Sequence, residues 1–434
     1  MKKSAFALLA ILVVASLLIA ACGATTEPQA PQATEPVAAQ PEATQAEATQ
    51  AEPTAAEVEE GGMAGTIVLW HSWKESEIPG LNAVIAAFQE QNPDVTFDVL
   101  YTPHEDLRGK FETAAATGGG PGVLLGSADW GPAMYDALLV ADVSSMASEE
   151  FLSTINPAAL APLQYKDALI GLPHTIKGVV MFRNPTIIAE APATWEDLVA
   201  AAQAATAGDV VGADLEAGFF FSAAHLNGIG GQLMEEDGDP LFNDEKGVEW
   251  MNLIQSFQDA GPVEYNNDND VNLYKAGKAG IIIDGTWNIT GFTETLGPEN
   301  VVIDPWPTYG DGALSGYVQT DNIYLGSNVS GDDQAAGWAF MEFFLSPEAQ
   351  EMLGDIDHIP ATLGVEVTSP HLQQAAVAFE DGTAFPVIPE MNAYWGPMDN
   401  AIPSVLNEGT DPAEVLQAAY DAIVAAIEEI RGGQ

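Results

Sequence analysis

Nine tryptophans stand out in this sequence as side chains that could bind a ligand. A flat aromatic face suits the apolar C–H surface of a sugar, while Asp, Glu, Asn, Lys and Arg suit its rim of hydroxyls. Trp195, Trp250 and Trp338 lie at or within apolar helical stripes and are predicted to pack in a core. Trp70, which ends a predicted strand, is also expected in a core, and Trp306, between two prolines, fits either role.

The other four tryptophans fall in predicted loops. Trp287 follows a strand-like run that leads into a helix start, a place where loop residues face the cleft of an α/β domain. Trp395 follows Tyr394 in a second loop. Trp130 and Trp73 each follow a predicted strand and have acidic or basic neighbours. These loops are candidate binding segments.

Sharper chemical signals are absent from the sequence. The acidic stretch 235–240 has no acid at the spacing of a calcium loop's twelfth position, and 266–270 is expected to be a solvated loop. The six histidines have no metal-ligand spacing, and 118–122 lacks the Lys-Ser/Thr of a phosphate loop. There is no Gly-x-Ser-x-Gly element. We therefore expect no metal, no cofactor and no catalytic residue.

Charge narrows the range of partners. The 434 residues include 63 Asp and Glu against 12 Lys and Arg, a formal net charge of −51. Phosphate binding needs clustered Lys and Arg, so nucleic acid is excluded. One cysteine excludes a disulfide framework and a thiolate zinc site. The acidity fits either a high-salt habitat or a lysine-poor surface on a soluble extracellular protein.

The first 62 residues do not resemble a folded domain. Lys2 and Lys3 precede an 18-residue uncharged, apolar run that ends in small residues before Cys22, the order of a secretory signal peptide. Residues 23–62 are rich in Ala, Glu, Thr, Pro and Gln and contain no aromatic residue, so they cannot bury enough apolar area to order themselves. We predict a signal peptide over 1–22 and a disordered tether over 23–62.

From Met63 the pattern is that of alternating strands and helices. Residues 66–70 form a short β-branched run, 81–91 are helical, and 95–101 are again strand-like, which together predict a βαβ unit and a parallel sheet. Further strands are predicted at 123–125, 178–182, 279–284, 301–304 and 322–325. Further helices are predicted at 195–206, 246–260, 333–344 and 412–430.

Six segments from Thr66 to the C-terminus resemble the extracellular solute-binding proteins of ABC importers, in the maltose- and oligosaccharide-binding branch. They are Thr66-Ile67-Val68-Leu69-Trp70-His71, Ala115-Ala116-Thr117-Gly118-Gly119-Gly120-Pro121, Ala168-Leu169-Ile170-Gly171-Leu172-Pro173, Pro192-Ala193-Thr194-Trp195-Glu196-Asp197-Leu198, Ala276 to Trp287, and Ile388-Pro389-Glu390-Met391-Asn392-Ala393-Tyr394-Trp395. The run Ile19-Ala20-Ala21-Cys22 also resembles the lipobox of bacterial lipoproteins, in which the cysteine is lipidated.

The resemblance implies an α/β fold of the periplasmic-binding-protein type (type II), with a ligand cleft between two lobes joined by crossing strands. The first lobe would comprise 63–175 and 317–357, and the second 176–316 and 358–434. The crossings would fall near Thr175, over 308–317 and over 358–361.

The resemblance also implies the ligand-binding residues. Trp287 and Trp395 match sugar-stacking tryptophans, and Asp129 matches a polar residue that binds sugar hydroxyls. This chain departs from the maltose-binding pattern at Trp130, in place of Arg, at Lys177, in place of Glu, and at Asp399, in place of Arg. The full predicted set is Trp73, Lys74, Glu75, Asp129, Trp130, Lys177, Trp287, Tyr394, Trp395 and Asp399.

Two classes of function are compared. The first is a monomeric, non-enzymatic receptor, anchored by lipid at Cys22 on the outer face of the cell membrane, that binds a carbohydrate and passes it to permease subunits. A cationic solute such as a polyamine is the alternative ligand, because aromatics and carboxylates also suit an ammonium group. The second class is a secreted glycoside hydrolase that uses two carboxylates.

Overall fold

The computed structural model describes residues 62–432. The predicted signal peptide, the predicted lipidation at Cys22 and the tether up to residue 61 lie outside these described residues. No helix within 62–432 is both long enough and apolar enough to cross a membrane.

The described chain alternates fifteen strands with fifteen α-helices. The strands are β1 (Ala64–His71), β2 (Asp94–Tyr101), β3 (Val123–Ser127), β4 (Gln164–Tyr165), β5 (Ala168–Leu169), β6 (Leu172–Arg183), β7 (Val211–Glu216), β8 (Val263–Glu264), β9 (Ala279–Gly285), β10 (Val302–Asp304), β11 (Thr308–Tyr309), β12 (Gly312–Ala313), β13 (Tyr317–Leu325), β14 (Ile359–Pro360) and β15 (Thr383–Ala384). The helices are α1 (Ile78–Gln91), α2 (His104–Ala115), α3 (Gly131–Asp136), α4 (Glu149–Leu152), α5 (Pro157–Leu160), α6 (Trp195–Ala205), α7 (Phe219–Gly228), α8 (Glu245–Ala260), α9 (Asn269–Lys275), α10 (Ile289–Leu296), α11 (Gly331–Phe344), α12 (Pro347–Gly354), α13 (Pro370–Ala378), α14 (Trp395–Glu408) and α15 (Pro412–Gly432).

The predicted βαβ unit is confirmed. Strand β1 pairs with β2 in parallel over its whole length, and α1 connects them. Strand β3 joins β1 on its other edge, also in parallel. In the second half of the sheet β7 is parallel to both β9 and β8. Parallel strands need a crossover connection, which the intervening helices supply.

Two long strands connect these parallel halves. The main sheet has the order β2-β1-β3-β13-β6-β9-β7-β8, with β13 antiparallel to β3 and to β6 and β6 antiparallel to β9. Strand β14 pairs with β6 at Thr175 and Ile176 and adds a third connection beside them. These strands extend beyond the predicted segments 178–182 and 322–325, because the residues that cross between the two halves are polar.

The apolar side chains form separate cores on either side of the crossing strands. The first core gathers β1, β3, α1 and α11 around residues such as Leu69, Val84 and Phe340. The second core lies on one face of the β6–β9–β7 sheet and the third on its other face. We call the part built on the first core the first lobe and the part built on the other two the second lobe. The residue ranges predicted for the lobes stay a prediction.

Of the four tryptophans predicted to pack in a core, three do so, and Trp306, which fitted either role, is buried too. Trp195, Trp250 and Trp338 are buried, as predicted. Trp70 differs, because its side of β1 is only partly covered by α2. Its ring is half-buried and lies under Lys110, whose Nζ is 4.9 Å from the ring centre.

Candidate functional site

The candidate site lies where parallel strands of both lobes end. Strand β1 leads to Trp73 and β3 to Asp129 in the first lobe, while β9 leads to Trp287 in the second. Carboxyl ends of strands in an open α/β sheet border a crevice, which is where such folds bind ligands. The crossing strands β6 and β13 form the floor between these two walls.

The wall of the second lobe is aromatic. Trp395 lies 6.2 Å from Phe385, which lies 5.5 Å from Phe220, which in turn lies 6.2 Å from Trp287, all as ring-centre distances. Phe221 closes the row at 6.3 Å from Trp287. We call these five rings the aromatic strip. It joins the two predicted stacking tryptophans through phenylalanines outside the predicted set, although the resemblance places an aromatic that lacks a hydroxyl near 219–221.

Gly285 allows Trp287 to lie flat against the end of β9. A Cβ at Gly285 would stand 2.1 Å from the six-membered ring of Trp287, so any side chain there would force the indole away. The turn Thr286–Asn288 that carries this indole follows β9 directly, and it is tied to β6 because the Gly178 amide donates to the Thr286 hydroxyl at 3.4 Å. The strand end therefore positions the ring.

The wall of the first lobe is polar. Trp130 is buried over Gly126, where a Cβ would come within 2.7 Å of the indole, and its ring lies 5.0 Å from the His104 ring. Burial raises the pKa of the neighbouring Asp129, while Ser127, Arg108 and His104 partly oppose that rise. His104 and Arg108 come from α2 and carry no sequence pattern that marks them as site residues.

The floor of the cleft carries an ion pair. Lys177 on β6 donates to Asp321 on β13, with Nζ 2.7 Å from Oδ2, and the same Nζ lies 5.2 Å from the centre of the Trp287 ring. Gln319, the register partner of Lys177, donates to the Ser127 hydroxyl at 3.3 Å. The predicted residue Lys177 therefore lies beside the predicted residue Trp287.

Four of the predicted ligand residues are buried: Asp129 and Trp130, described above, and also Trp73 and Tyr394. Trp73 is 5% exposed, and its ring packs 4.6 Å from that of His358, close also to His174 and Phe344. Tyr394 is fully buried, and its hydroxyl donates to the Gly238 carbonyl at 2.8 Å. Neither ring presents a face to the cleft, so the structure assigns both to packing. Their neighbours in sequence, Lys74 and Trp395, are the residues that face outward.

The remaining predicted residues lie at the rim. Lys74 and Glu75 are exposed at the start of the short turn Glu75–Glu77. Asp399 is exposed on α14, where it accepts hydrogen bonds from the Tyr265 hydroxyl at 2.8 Å and from Asn266 at 3.4 Å. One direct hydrogen bond joins the walls near this rim, from Arg108 Nη1 of the first lobe to Asn392 Oδ1 of the second, at 2.7 Å.

Comparison with known proteins identifies the family. The family model for bacterial extracellular solute-binding proteins matches residues 83–380. This chain belongs to that family.

Individual relatives agree with this assignment. A maltotriose-binding protein of Pyrococcus abyssi is 24% identical over 364 residues, covering 80% of this chain and 78% of that protein. A galactooligosaccharide-binding protein of Bacillus subtilis is 25% identical over 398 residues, covering 85% and 91%.

Solved structures share the fold. The maltose/maltodextrin-binding domain of Bdellovibrio bacteriovorus, bound to maltotriose, superposes with a TM-score of 0.77 at 20% identity, covering 84% of this chain and all of that one. A Thermus thermophilus maltotriose-binding protein gives the same TM-score at 19% identity over 83% of this chain. The predicted two-lobed α/β fold is thereby confirmed.

Below the aromatic strip this solute-binding protein buries four carboxyl groups, on Asp214, Glu216, Asp270 and Asp284. We call them the carboxyl cluster. Burial raises the pKa of Asp214 and of Asp284 to about 6, of Glu216 to about 7 and of Asp270 to about 8, and neighbouring acidic groups add to each rise. Both Asp214 oxygens and Asp270 Oδ2 lack a hydrogen-bond partner within the described chain.

The carboxyl cluster is not arranged as a metal centre. Within residues 62–432 no three His, Cys, Asp or Glu side chains converge so as to hold a metal ion. The acidic loop at 266–270 turns toward the cluster, since the Asn266 amide donates to the Glu216 carboxylate at 3.0 Å. The groups are instead suited to share protons, and the stretch expected to be a solvated loop helps to cover them.

Proposed function

We propose that this chain is the lipid-anchored, extracytoplasmic binding protein of an ABC importer. It binds an oligosaccharide between its two lobes and delivers it to the permease, with Cys22 as the site of the lipid. Family membership supports the receptor role and the location outside the cytoplasm. The ligand class rests on the site.

The observation that carries the proposal is the aromatic strip opposite a polar wall. Trp395 and Trp287 stand at either end of a row in which Phe220 and Phe221 are also partly exposed, and these four rings can each cover the apolar face of a sugar unit. The buried Phe385 packs between Trp395 and Phe220 and supports the row. Asp129, His104 and Arg108 stand opposite with donors and acceptors for hydroxyls. A row of several rings fits an oligosaccharide better than a monosaccharide, in agreement with the maltotriose and galactooligosaccharide specificities of the relatives named above.

Ligand contact with both walls would stabilise the closed protein. A ligand shifts a conformational equilibrium only through its different affinity for the two states, and contacts to both lobes at once exist only when they are close together. The Arg108–Asn392 hydrogen bond is one direct contact between the walls within the protein itself. The permease would then recognise the closed form.

Titration calorimetry of the purified protein with neutral and charged oligosaccharides tests the ligand class. We expect binding with the sugar recovered intact, because a receptor needs to release what it binds. Spermidine is titrated in parallel. A protein whose ligand is cationic should bind spermidine and not the sugars. Hydrolysis of the bound oligosaccharide, abolished by one carboxylate substitution, would instead indicate a glycoside hydrolase.

The anchor is tested separately. Cells that express Cys22→Ser should release the protein from the membrane fraction, whereas the unmodified chain should stay bound. Membrane retention of Cys22→Ser after signal cleavage would contradict lipidation at this residue, and it would leave the assignment of the ligand unaffected.

A further inference from the structure

Lys177 occupies a special place in the cleft. It lies in the middle of β6, the strand that crosses between the lobes, and its side chain is only 14% exposed. Its ammonium group contacts the Trp287 ring, 5.2 Å from the ring centre, and pairs with Asp321. A cation is therefore held beside the ring on which a sugar unit would stack.

A second lysine approaches the same turn from the first lobe. Lys74 is exposed and forms no ion pair with any residue of 62–432. It precedes the turn Glu75–Glu77, which packs against α10, the helix that directly follows the Trp287 turn, and its charge opposes the rise in the pKa of Asp284. The turn that carries Trp287 thus has one lysine at the floor and one at the opposite wall.

Basic residues are scarce in this chain, which makes their convergence informative. The sequence has twelve Lys and Arg, and without Lys2 and Lys3 ten remain. The acids near Trp287 are already engaged, since Asp321 holds Lys177 and Asp284 accepts from the Gly285 amide. An ammonium has three N–H donors, and Asp321 is the only carboxylate paired with Lys177 among the described residues.

Closing the lobes would remove water from the Lys177 ammonium. A carboxylate is a stronger acceptor for such a group than a neutral hydroxyl, since charge-assisted hydrogen bonds are about twice as strong as neutral ones. A neutral sugar stacked on Trp287 would displace the ammonium from the ring without supplying an equal partner. A sugar with a carboxylate at its rim would stack and accept from the lysine at once.

We propose that Lys177, assisted by Lys74, determines specificity at the Trp287 end of the cleft, and that the sugar unit bound there carries a carboxylate, as in a uronic acid. This inference rests on the proposed function and names the ligand class more narrowly.

The test compares matched ligands on the full-length protein by titration calorimetry. Maltotriose and galactotriose are each used in neutral form and with their C6 hydroxymethyl groups oxidised to carboxylates. The protein should prefer a carboxylate form by roughly 10-fold or more, the scale of a charge-assisted hydrogen bond. Lys177→Met should lose this preference and bind the neutral form at least as tightly as before.

Two further variants keep the result interpretable. Lys177→Met with Asp321→Asn removes the carboxylate that the single change would leave buried and unpaired, and it should show the same loss of preference. Lys246→Met, which removes a surface lysine paired with Glu249, should keep the preference of the unmodified protein.

Two results would overturn the inference and leave the proposed function intact. One is that the unmodified protein binds the neutral trisaccharides as tightly as their carboxylate forms. The other is that both Lys177 variants retain the preference. Failure of every oligosaccharide to bind would instead contradict the proposed function, and this inference with it.

Discussion

The two walls of the cleft place their tryptophans differently. In the first lobe Trp73 and Trp130 turn inward, each 5% exposed, and the wall is left to charged and polar groups such as His104 and Arg108. In the second lobe Trp287 and Trp395 stay half-buried and keep ring surface available. One lobe thus offers apolar area that binds without strict direction, and the other offers hydrogen bonds that act only at short range.

This difference suggests that the two lobes have different roles in ligand binding. In the proposed site, ring surface on the second lobe would hold a sugar while the cleft is open. The polar groups of the first lobe would then select the sugar once the lobes close. Substitutions in the two lobes should therefore have different effects, and the predictions below run from the largest expected effect to the smallest.

Trp73→Ala should cause the largest change, and it should affect stability. Truncating a buried Trp costs about 3–5 kcal/mol, and the ring of Trp73 packs on His358, His174 and Phe344 near the crossing strands. Urea unfolding measures the loss, and calorimetry on protein that is still folded should find affinity little changed. If Trp73→Ala were as stable as the unmodified protein but bound the ligand more weakly, Trp73 would be a ligand-binding residue after all.

Trp287→Ala and Trp395→Ala should change affinity instead. Each should cost on the order of 1–3 kcal/mol of binding free energy from lost apolar burial and stacking, roughly 5- to 150-fold in Kd. Their unfolding midpoints should stay near that of the unmodified protein. Trp195→Ala, buried in the second core, is the matched control and should lower stability without changing the affinity of the folded fraction. If Trp287→Ala and Trp395→Ala both bound the ligand with wild-type affinity, the aromatic strip would not be part of the binding site.

The carboxyl cluster should make stability depend on pH. The pKa of Asp270 is raised to about 8 in the folded protein, so the folded state binds a proton that the unfolded state releases near pH 4. Stability should therefore fall as pH rises from about 4 to about 8. Asp270→Asn, which mimics the neutral group, should recover on the order of 1–2 kcal/mol at pH 8 and little at pH 4.

Thermal unfolding of Asp270→Asn across this pH range measures the effect. Glu428→Gln, on the exposed face of α15 in the same lobe, is the control and should leave the pH profile unchanged. An equal profile for Asp270→Asn and the unmodified protein would show that the cluster does not take up a proton on folding.

The smallest effect concerns the acidity that both lobes share. Without Lys2, Lys3 and the eight glutamates of residues 23–62, 55 acidic residues remain against 10 basic ones. At 0.1 M salt, repulsion among surface charges is screened over about 10 Å. Added NaCl should therefore raise Tm and increase the free energy of unfolding by on the order of 1 kcal/mol. Sucrose is the non-ionic control. A flat or falling Tm in NaCl would indicate that the charges are too far apart to matter.

Much of the fold could be predicted from local sequence. The β-branched runs became β1 and β9 within one or two residues, and the apolar stripes became α6, α8 and α15. Trp287 and Trp395 could also be placed, because a strand end and a helix start locate a side chain without knowledge of distant segments. The crossing strands were predicted too short, since their central residues are polar.

The burial of the other rings could not be predicted from local sequence. Trp73 is covered by His358 and Phe344, which lie more than 250 residues away along the chain, and Tyr394 is covered by the turn at Gly238. Arg108 and His104 reach the cleft because of the position at which α2 packs against the sheet. No spacing of residues in the sequence predicts that position. Residues whose role depends on such long-range contacts need the structure.

The path of the chain through the sheet also affects how the protein is made. Strand β13 lies between β3 and β6, so the first lobe lacks a central strand until residues 317–325 have been added to the chain. By then β7 to β9 and α6 to α10 of the second lobe are present, whereas α14 and α15, which complete its larger core, still follow. The segment from β1 to β3 must wait, with apolar strands uncovered, for a partner that arrives late. The high negative charge gives that waiting chain mutual repulsion between neighbouring copies, which protects it from aggregation before its lobe is complete.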